Sequence, residues 1–209
     1  AVLGLSLTAI ELERRDIGLS YILRDRLPAG CSAFGFAQHI IGQPALEVAR
    51  LVLEGRDDAQ RGVGMAVITA ATRALDLPDE PDVSTPFDLQ VLPADKIGMV
   101  GYIPPVVDQL IKMGARVTIF DKGLTVSGGE GAAQVLDMSQ QSEVLPVCDL
   151  MIITGTTLIN GSIDKLLDLC QKAREIVLVG SSTPMLVEAF KGTGVTALAG
   201  SWWDHALKD

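Results

Sequence analysis

The sequence predicts an α/β protein: a Rossmann-like domain with a mostly parallel sheet, preceded by a smaller α+β unit. Three observations point there. From Lys96 onward, short apolar strands alternate with amphipathic helices, the rhythm of βαβ units with right-handed crossovers. Of the 209 residues 48% are hydrophobic but only 4% aromatic, so the core is aliphatic, as suits parallel strands buried under helices. Between the halves, the stretch Leu77–Asp95 has four prolines, an acidic excess and no sustained period. It reads as a linker joining residues 1–76 to residues 96–209.

In the first unit, Leu3–Glu11 and Ile17–Leu23 alternate in character around the polar Glu13–Asp16, the pattern of an antiparallel hairpin. An irregular, Gly-containing stretch follows over Pro28–Gly42 and holds Cys31 and His39. Pro44 suits the first turn of a helix running to about Glu54, with Leu46, Ala49 and Leu53 on one face. A second helix spans Asp57 to Leu75. Its Gly62, Gly64, Ala66, Ala70 and Ala71 form a small-residue face that costs helix propensity, which close backbone packing would offset. The Rossmann-like unit begins with a strand at Lys96–Gly101, a helix at Pro104–Gly114 and a strand at Arg116–Phe120. After a Gly-rich region without a clear pattern come the strand Leu150–Thr154, a helix near Ile163–Lys172 and the strand Ile176–Val179. A helix near Pro184–Phe190 and a last strand, Val195–Leu198, complete the series.

Bulk properties narrow the function. The net charge is -9, and no dense run of Lys and Arg exists to meet a phosphate backbone, which argues against nucleic acid. The apolar runs are too short to span a bilayer and no basic amphipathic face is present, so no membrane partner is expected. A soluble, cytoplasmic protein is the expectation. The chain opens at Ala1 within a strand-like pattern, so residues are expected to precede it, and any targeting segment is unreadable. The three cysteines are scattered and the histidines number only two. Neither a disulfide framework nor a zinc knuckle is signalled, and Cys148 and Cys170 read as core thiols. Glu47, Glu54, Asp57 and Asp58 read as a solvated helix face and helix start rather than a metal site.

In an open parallel sheet ligands bind beyond the carboxyl ends of the strands, and four segments fall there. The turn Gly98–Pro105 includes Gly101 and Tyr102 but lacks the GxGxxG fingerprint, and Pro104 and Pro105 have no N–H to offer a pyrophosphate. This argues against NAD or FAD in the usual pose and leaves room for a ligand without a diphosphate; a plain tight turn fits equally well. Asp121 ends the next strand, where an acid bonds ribose hydroxyls or another polar ligand edge. The alternative is a solvated carboxylate beside Lys122. The third segment holds Thr154, Gly155, Thr156, Thr157 and Asn160, read as a ligand-binding loop with Asn160 or Ser162 capping the following helix. The fourth is Gly180, Ser181, Ser182 and Thr183, with Thr183 as an N-cap before Pro184, an end that could hold an anion or carboxylate. No GxSxG elbow and no His nearby in sequence accompany it, which argues against a Ser-His-Asp hydrolase. His205, in the Trp202–His205 run, is either a cleft residue or a surface one.

The Val100-Gly101-Tyr102 turn, the segment at 154–162 and Gly-Ser-Ser-Thr-Pro at 180–184 together resemble the putative heavy-metal chelation family, whose function is unknown. The nine-residue segment is the most specific of them. The first half fits through its hairpin and the helix around 64–70, with Thr69 where the resemblance leads one to expect Asn; in the second half, Asp121 stands where Glu is also familiar. The resemblance implies an enolase N-terminal-like domain before a Rossmann-like one, with a site where they meet. It also implies a role in making or handling a metal-chelating metabolite, such as a siderophore, pterin or flavin-like molecule. Scattered Cys and His offer no preformed soft-metal site, so chelation refers to the metabolite rather than to metal held by the chain. The leading expectation is an enzyme acting on a small chelator-, pterin- or flavin-like metabolite by condensation or hydrolysis in the interdomain cleft, with Asp121 as the candidate general base. A non-catalytic carrier of a metal-chelate complex is the alternative. Direct metal binding by Cys31, His39 and their neighbours is a weaker third. No cofactor is specified, and a homodimer is compatible with the apolar strands.

Overall fold

The computed structural model describes residues 1–4, 6–23, 27, 35–75, 77, 85–126, 131–201 and 203. Cys31, Trp202 and His205, and most of the first half of the expected linker, lie outside them. The chain forms a small antiparallel sheet of three strands and a parallel sheet of six.

The hairpin of the first unit gains a strand ahead of it: β1 (Val2–Leu3), β2 (Leu7–Glu11) and β3 (Ile17–Tyr21) pair antiparallel in that order. Two residues sufficed to make β1, too few to stand out as a period of their own. After the single turn α1 (Ala37–Ile40) come α2 (Ala45–Ala49), α3 (Leu51–Glu54) and the long α4 (Asp58–Thr72), capped by Asp57 accepting from the Gln60 N–H at 2.9 Å. The small-residue face of α4 packs on β3. A Cβ at Gly18 would lie 2.0 Å from the Ala66 carbonyl oxygen and 2.2 Å from the Ala70 nitrogen, so only glycine admits this approach. Thr69, where Asn was expected, donates its hydroxyl to the carbonyls of Leu19 and Ala66, each at 3.0 Å, and ties helix to strand.

The helix expected from Pro44 to Glu54 is broken at Arg50 into α2 and α3, and its inward face differs from the expectation. Leu46 and Leu53 are 67% and 85% exposed, whereas Val48 is buried with Ala49 and Leu51 packed against Val63 and Val67. The cause is a backbone contact: a Cβ on Gly64 of α4 would meet the Val52 nitrogen at 2.6 Å and the Ala49 carbonyl at 3.1 Å. That contact turns the 48–52 face inward.

The parallel sheet contains β4 (Lys96–Val100), β5 (Arg116–Phe120), β6 (Ala133–Val135), β7 (Leu150–Thr154), β8 (Glu175–Val179) and β9 (Ala197–Ala199). Their order is β6-β5-β4-β7-β8-β9, which runs outward both ways from the β4–β7 boundary, as in a doubly wound fold. Along β4 the side chains alternate between two apolar layers. Ile97 and Met99 join Val106, Val107 and Leu110 of α5 (Pro104–Lys112), while Val100 joins Phe120, Met151 and Leu166 of α8 (Ile163–Leu169). Between β5 and β7 lie β6 and the one-turn helix α6 (Gln141–Val144).

The later part of the stretch read as linker is fastened to this sheet. Leu89 is buried in the first apolar layer. Asp95 accepts from the Leu92 N–H at 2.7 Å and from both terminal nitrogens of Arg174, which also donates to the Gln90 carbonyl at 3.0 Å. The helix expected near Pro184–Phe190 is only a 3-10 turn at Val187–Phe190. Met185 lies so close to Gly200 that a Cβ there would meet its sulfur at 2.8 Å, which pins residues 183–186 beside the exit of β9 and delays the turn. No helix among the described residues is long and apolar enough to cross a membrane.

Candidate functional site

A cavity of about 410 Å³ opens beyond the carboxyl ends of β4, β5 and β7, at the point where the strand order reverses. Gly101, Asp121, Thr154, Thr156, Thr157 and Asn160 line it, six of the positions singled out in the sequence, brought together from three separate loops. Leu23, just beyond β3, contributes to the wall from the first unit.

Gly101 makes the turn out of β4. Its φ is +90°, its N–H donates to the Phe120 carbonyl at 2.9 Å, and an added Cβ would lie 2.8 Å from the Thr154 Cβ. Asp121 is turned into the loops rather than left in solvent. One carboxylate oxygen accepts the Tyr102 N–H at 2.8 Å and the other accepts the Gly123 N–H at 2.7 Å. Its carboxylate therefore fixes the β4–α5 turn and its own turn, with one lone-pair direction on each oxygen left over. Tyr102 takes part through its backbone; its half-exposed ring is not among the residues lining the cavity.

The segment read as an irregular loop after β7 contains a short helix, α7 (Thr156–Asn160), closed by Gly161 at φ +72°. Thr157 is buried and donates its hydroxyl to the Thr154 carbonyl at 2.7 Å. The hydroxyl oxygens of Thr154 and Thr156 are 3.2 Å apart, and the Asn160 carbonyl oxygen accepts the Ser162 N–H at 3.0 Å. That bond closes an Asx turn between α7 and α8; neither Asn160 nor Ser162 caps α8 through its side chain, contrary to the expectation. The Asn160 amide nitrogen has no partner among the described residues and remains a donor for the cleft.

The other expected positions are used differently. Gly155 donates its N–H to the Val179 carbonyl at 2.8 Å and packs against residues 182–183. Gly180 makes the turn out of β8 at φ +108°, and Ser181 lies 3.4 Å from the Ser201 hydroxyl. Ser182 is buried, accepts the Tyr21 N–H at 2.9 Å and sits 3.4 Å from the Ser20 hydroxyl, bridging the second unit to β3 of the first. Thr183 is buried and does not cap a helix: the turn that follows starts at Val187, and the Thr183 hydroxyl makes no hydrogen bond. None of Gly155, Gly180, Ser181, Ser182 and Thr183 lines the cleft.

Several lining residues escaped the sequence reading. Met138 and Gln141 are presented by a turn that a capping box starts: Asp137 accepts the Ser139 N–H at 2.9 Å, and Gln140 accepts the Asp137 N–H at 3.3 Å. The spacing Asp-x-x-Gln was the available signal. Lys122 and Lys165 also line the cleft; both are exposed, and neither forms an ion pair among the described residues. A second cavity, of about 460 Å³, lies at the amino end of β8, between the end of α8 and Gly192–Gly194. It gathers none of the predicted residues.

One family model matches residues 85–207 and a second matches residues 1–72, both described as putative heavy-metal chelation. The chain belongs to this family. An uncharacterized protein of Methanocaldococcus jannaschii is 36% identical over 107 residues, which are 50% of this chain and 39% of that protein. The match thus spans well under half of the curated relative's length. Two solved structures of unknown function from the family for domain of unknown function 364 have the same fold. One, from Pyrococcus horikoshii, is 23% identical with a TM-score of 0.70 over 95% of this chain and 78% of its own. The other, from Desulfitobacterium hafniense, is 21% identical with a TM-score of 0.71 over 95% of this chain and 76% of its own.

The heavy-metal chelation name invites a test of the donor set. Among the described residues no three of His, Cys, Asp and Glu gather into a group able to hold a metal ion. Cys148 and Cys170 sit in the second apolar layer, where burial pushes their thiols up to about 11 and about 12. Asp149 reinforces the first shift and Cys148 the second. A thiol so held stays protonated and is a poor ligand. The described residues of this family member do not fit a directly bound heavy metal.

Proposed function

We propose that the cleft beyond β4, β5 and β7 binds a small polar metabolite of the chelator-, pterin- or flavin-like kind, and that the chain holds it without changing it. The observation that supports this is the convergence of Gly101, Asp121, Thr154, Thr156 and Asn160 on one 410 Å³ cavity at the switch point of a doubly wound sheet. The family description suggests the metabolite class: with no fitting metal-ligand cluster among the described residues, the chain would meet metal through a chelating molecule. Retention is favoured over condensation or hydrolysis by the ionisable groups at hand. Asp121 has both oxygens engaged by backbone N–H groups, and the other ionisable side chains lining the cavity are Lys122 and Lys165. Among the described residues no carboxylate or imidazole there is paired with a second group as acid and base.

A thermal-shift screen of siderophore fragments, pterins, flavins and S-adenosylmethionine, with mass spectrometry of each incubation, tests the proposal. A ligand at a hundred times its Kd stabilises the fold by about 2.7 kcal/mol. The expected result is a shift that Asn160→Ala and Thr156→Ala both diminish, with the ligand recovered at unchanged mass. A changed mass makes the protein an enzyme and overturns retention. A shift indifferent to both variants removes the ligand from this cleft.

A further inference from the structure

We infer that the ligand of this cleft is a polycarboxylate anion, held by Lys122 and Lys165, and that phosphate groups are poorly accepted; the inference rests on the cleft being the binding site. The first support is charge. The chain carries a net charge of -9, yet the ionisable side chains on the cleft wall are two lysines without ion-pair partners among the described residues and one aspartate. That aspartate, Asp121, has each oxygen bonded to a backbone N–H. An acidic protein therefore presents a locally cationic pocket, and its field favours an anion there.

The second support is the inventory of donors. Phosphates in Rossmann-like folds are cradled by free backbone N–H groups of the first strand–helix turn and the helix start. Here most of those groups are used or missing, the Ile103 N–H excepted. The Gly101 N–H goes to Phe120, the Tyr102 N–H goes to Asp121, and Pro104 and Pro105 open α5 with none. On the neighbouring loops the Gly123 N–H goes to Asp121 and the Gly155 N–H to Val179. The carboxylate of Asp121 is in effect the anion of the β4–α5 turn, supplied by the protein itself. What remains for a ligand are two ammonium groups, the Thr154, Thr156 and Ser162 hydroxyls, and the Asn160 and Gln141 amides. That set suits separate carboxylates, each met by one cation and one neutral donor, better than a compact phosphate needing several converging N–H groups.

Isothermal titration calorimetry on the full chain tests this with nitrilotriacetate and citrate as carboxylate probes and inorganic pyrophosphate as the phosphate probe. Both carboxylates are expected to bind, with affinity falling as NaCl is raised. Lys122→Gln and Lys165→Gln are changes at exposed positions expected to leave the fold intact, which circular dichroism checks, and each should weaken binding about tenfold. Pyrophosphate should bind at least tenfold more weakly than citrate. Carboxylate binding that Asn160→Ala weakens but the lysine variants leave untouched overturns the inference while preserving the cleft as the site. Pyrophosphate binding as tight as citrate, or no carboxylate binding at millimolar concentration, overturns it as well.

Discussion

Replacing Gly101 by alanine perturbs the site with a single methyl group, and its cost follows from two features of the turn. A non-glycine residue in the positive-φ region costs about 1–2 kcal/mol, and Gly101 sits at φ +90°. The new Cβ would lie 2.8 Å from both Cβ and Cγ2 of Thr154, well inside the usual carbon–carbon separation, and such overpacking costs about 1–3 kcal/mol. Together these predict a loss of roughly 2–5 kcal/mol, which in a chain of this size lowers Tm by about 4–20 °C. Urea unfolding followed by circular dichroism measures it. A cycle with Thr154→Gly isolates the steric part, because removing the Thr154 side chain relieves the clash but not the φ strain; a coupling of about 1–3 kcal/mol is expected. Gly101→Ala unfolding within about 0.5 kcal/mol of the parent, with no coupling to position 154, would mean that neither the backbone strain nor the clash is present.

Ser182→Ala removes the acceptor of the Tyr21 N–H and should cost about 1–3 kcal/mol in urea unfolding; the parent stability would mean that this bridge between the units is not used. Asp95→Ala leaves Arg174 and the Leu92 N–H without their acceptor. Because Arg174 is 38% exposed, the expected loss is about 1–3 kcal/mol by calorimetry rather than the larger cost of a fully buried pair. With thiols held at about 11 and about 12, Cys148 and Cys170 should resist Ellman's reagent at pH 8 until the chain is unfolded. The same shifts set a pH dependence. Above the ordinary thiol value of 9.0 the unfolded chain loses protons that the folded one keeps. This contribution to stability is therefore complete below pH 9 and declines as the pH rises through 11 and 12. Stability that is flat or rising over that range in a comparison with Cys148→Ala and Cys170→Ala contradicts it.

The parts of the fold legible in the sequence were those with a strong local period. The strands at 96–100, 116–120, 150–154 and 175–179 are apolar runs, and Gly101 and Asp121 mark where the chain leaves two of them. β6 stayed hidden because its three residues pair with β5 without a buried run of their own. The inward face around Pro44 was misread because the backbone contact at Gly64, a tertiary matter, sets the phase of α2 and α3. Within the site, residue chemistry drew attention to hydroxyls at 154–157 and at 181–183 alike. Only assembly separates those on the cleft from Ser182, which bridges to Tyr21. Lys122 comes from the loop after β5 and Lys165 from α8, and both look like ordinary surface lysines until the sheet order brings them to one wall.

Amide chemical-shift mapping by NMR during titration with nitrilotriacetate tests whether a ligand binds beyond β4, β5 and β7. Perturbations centred on Gly101, Lys122, Thr156, Asn160 and Lys165 are expected. Perturbations gathered instead around Cys170 and Gly192–Gly194 would place binding at the amino end of β8 and rule the cleft out.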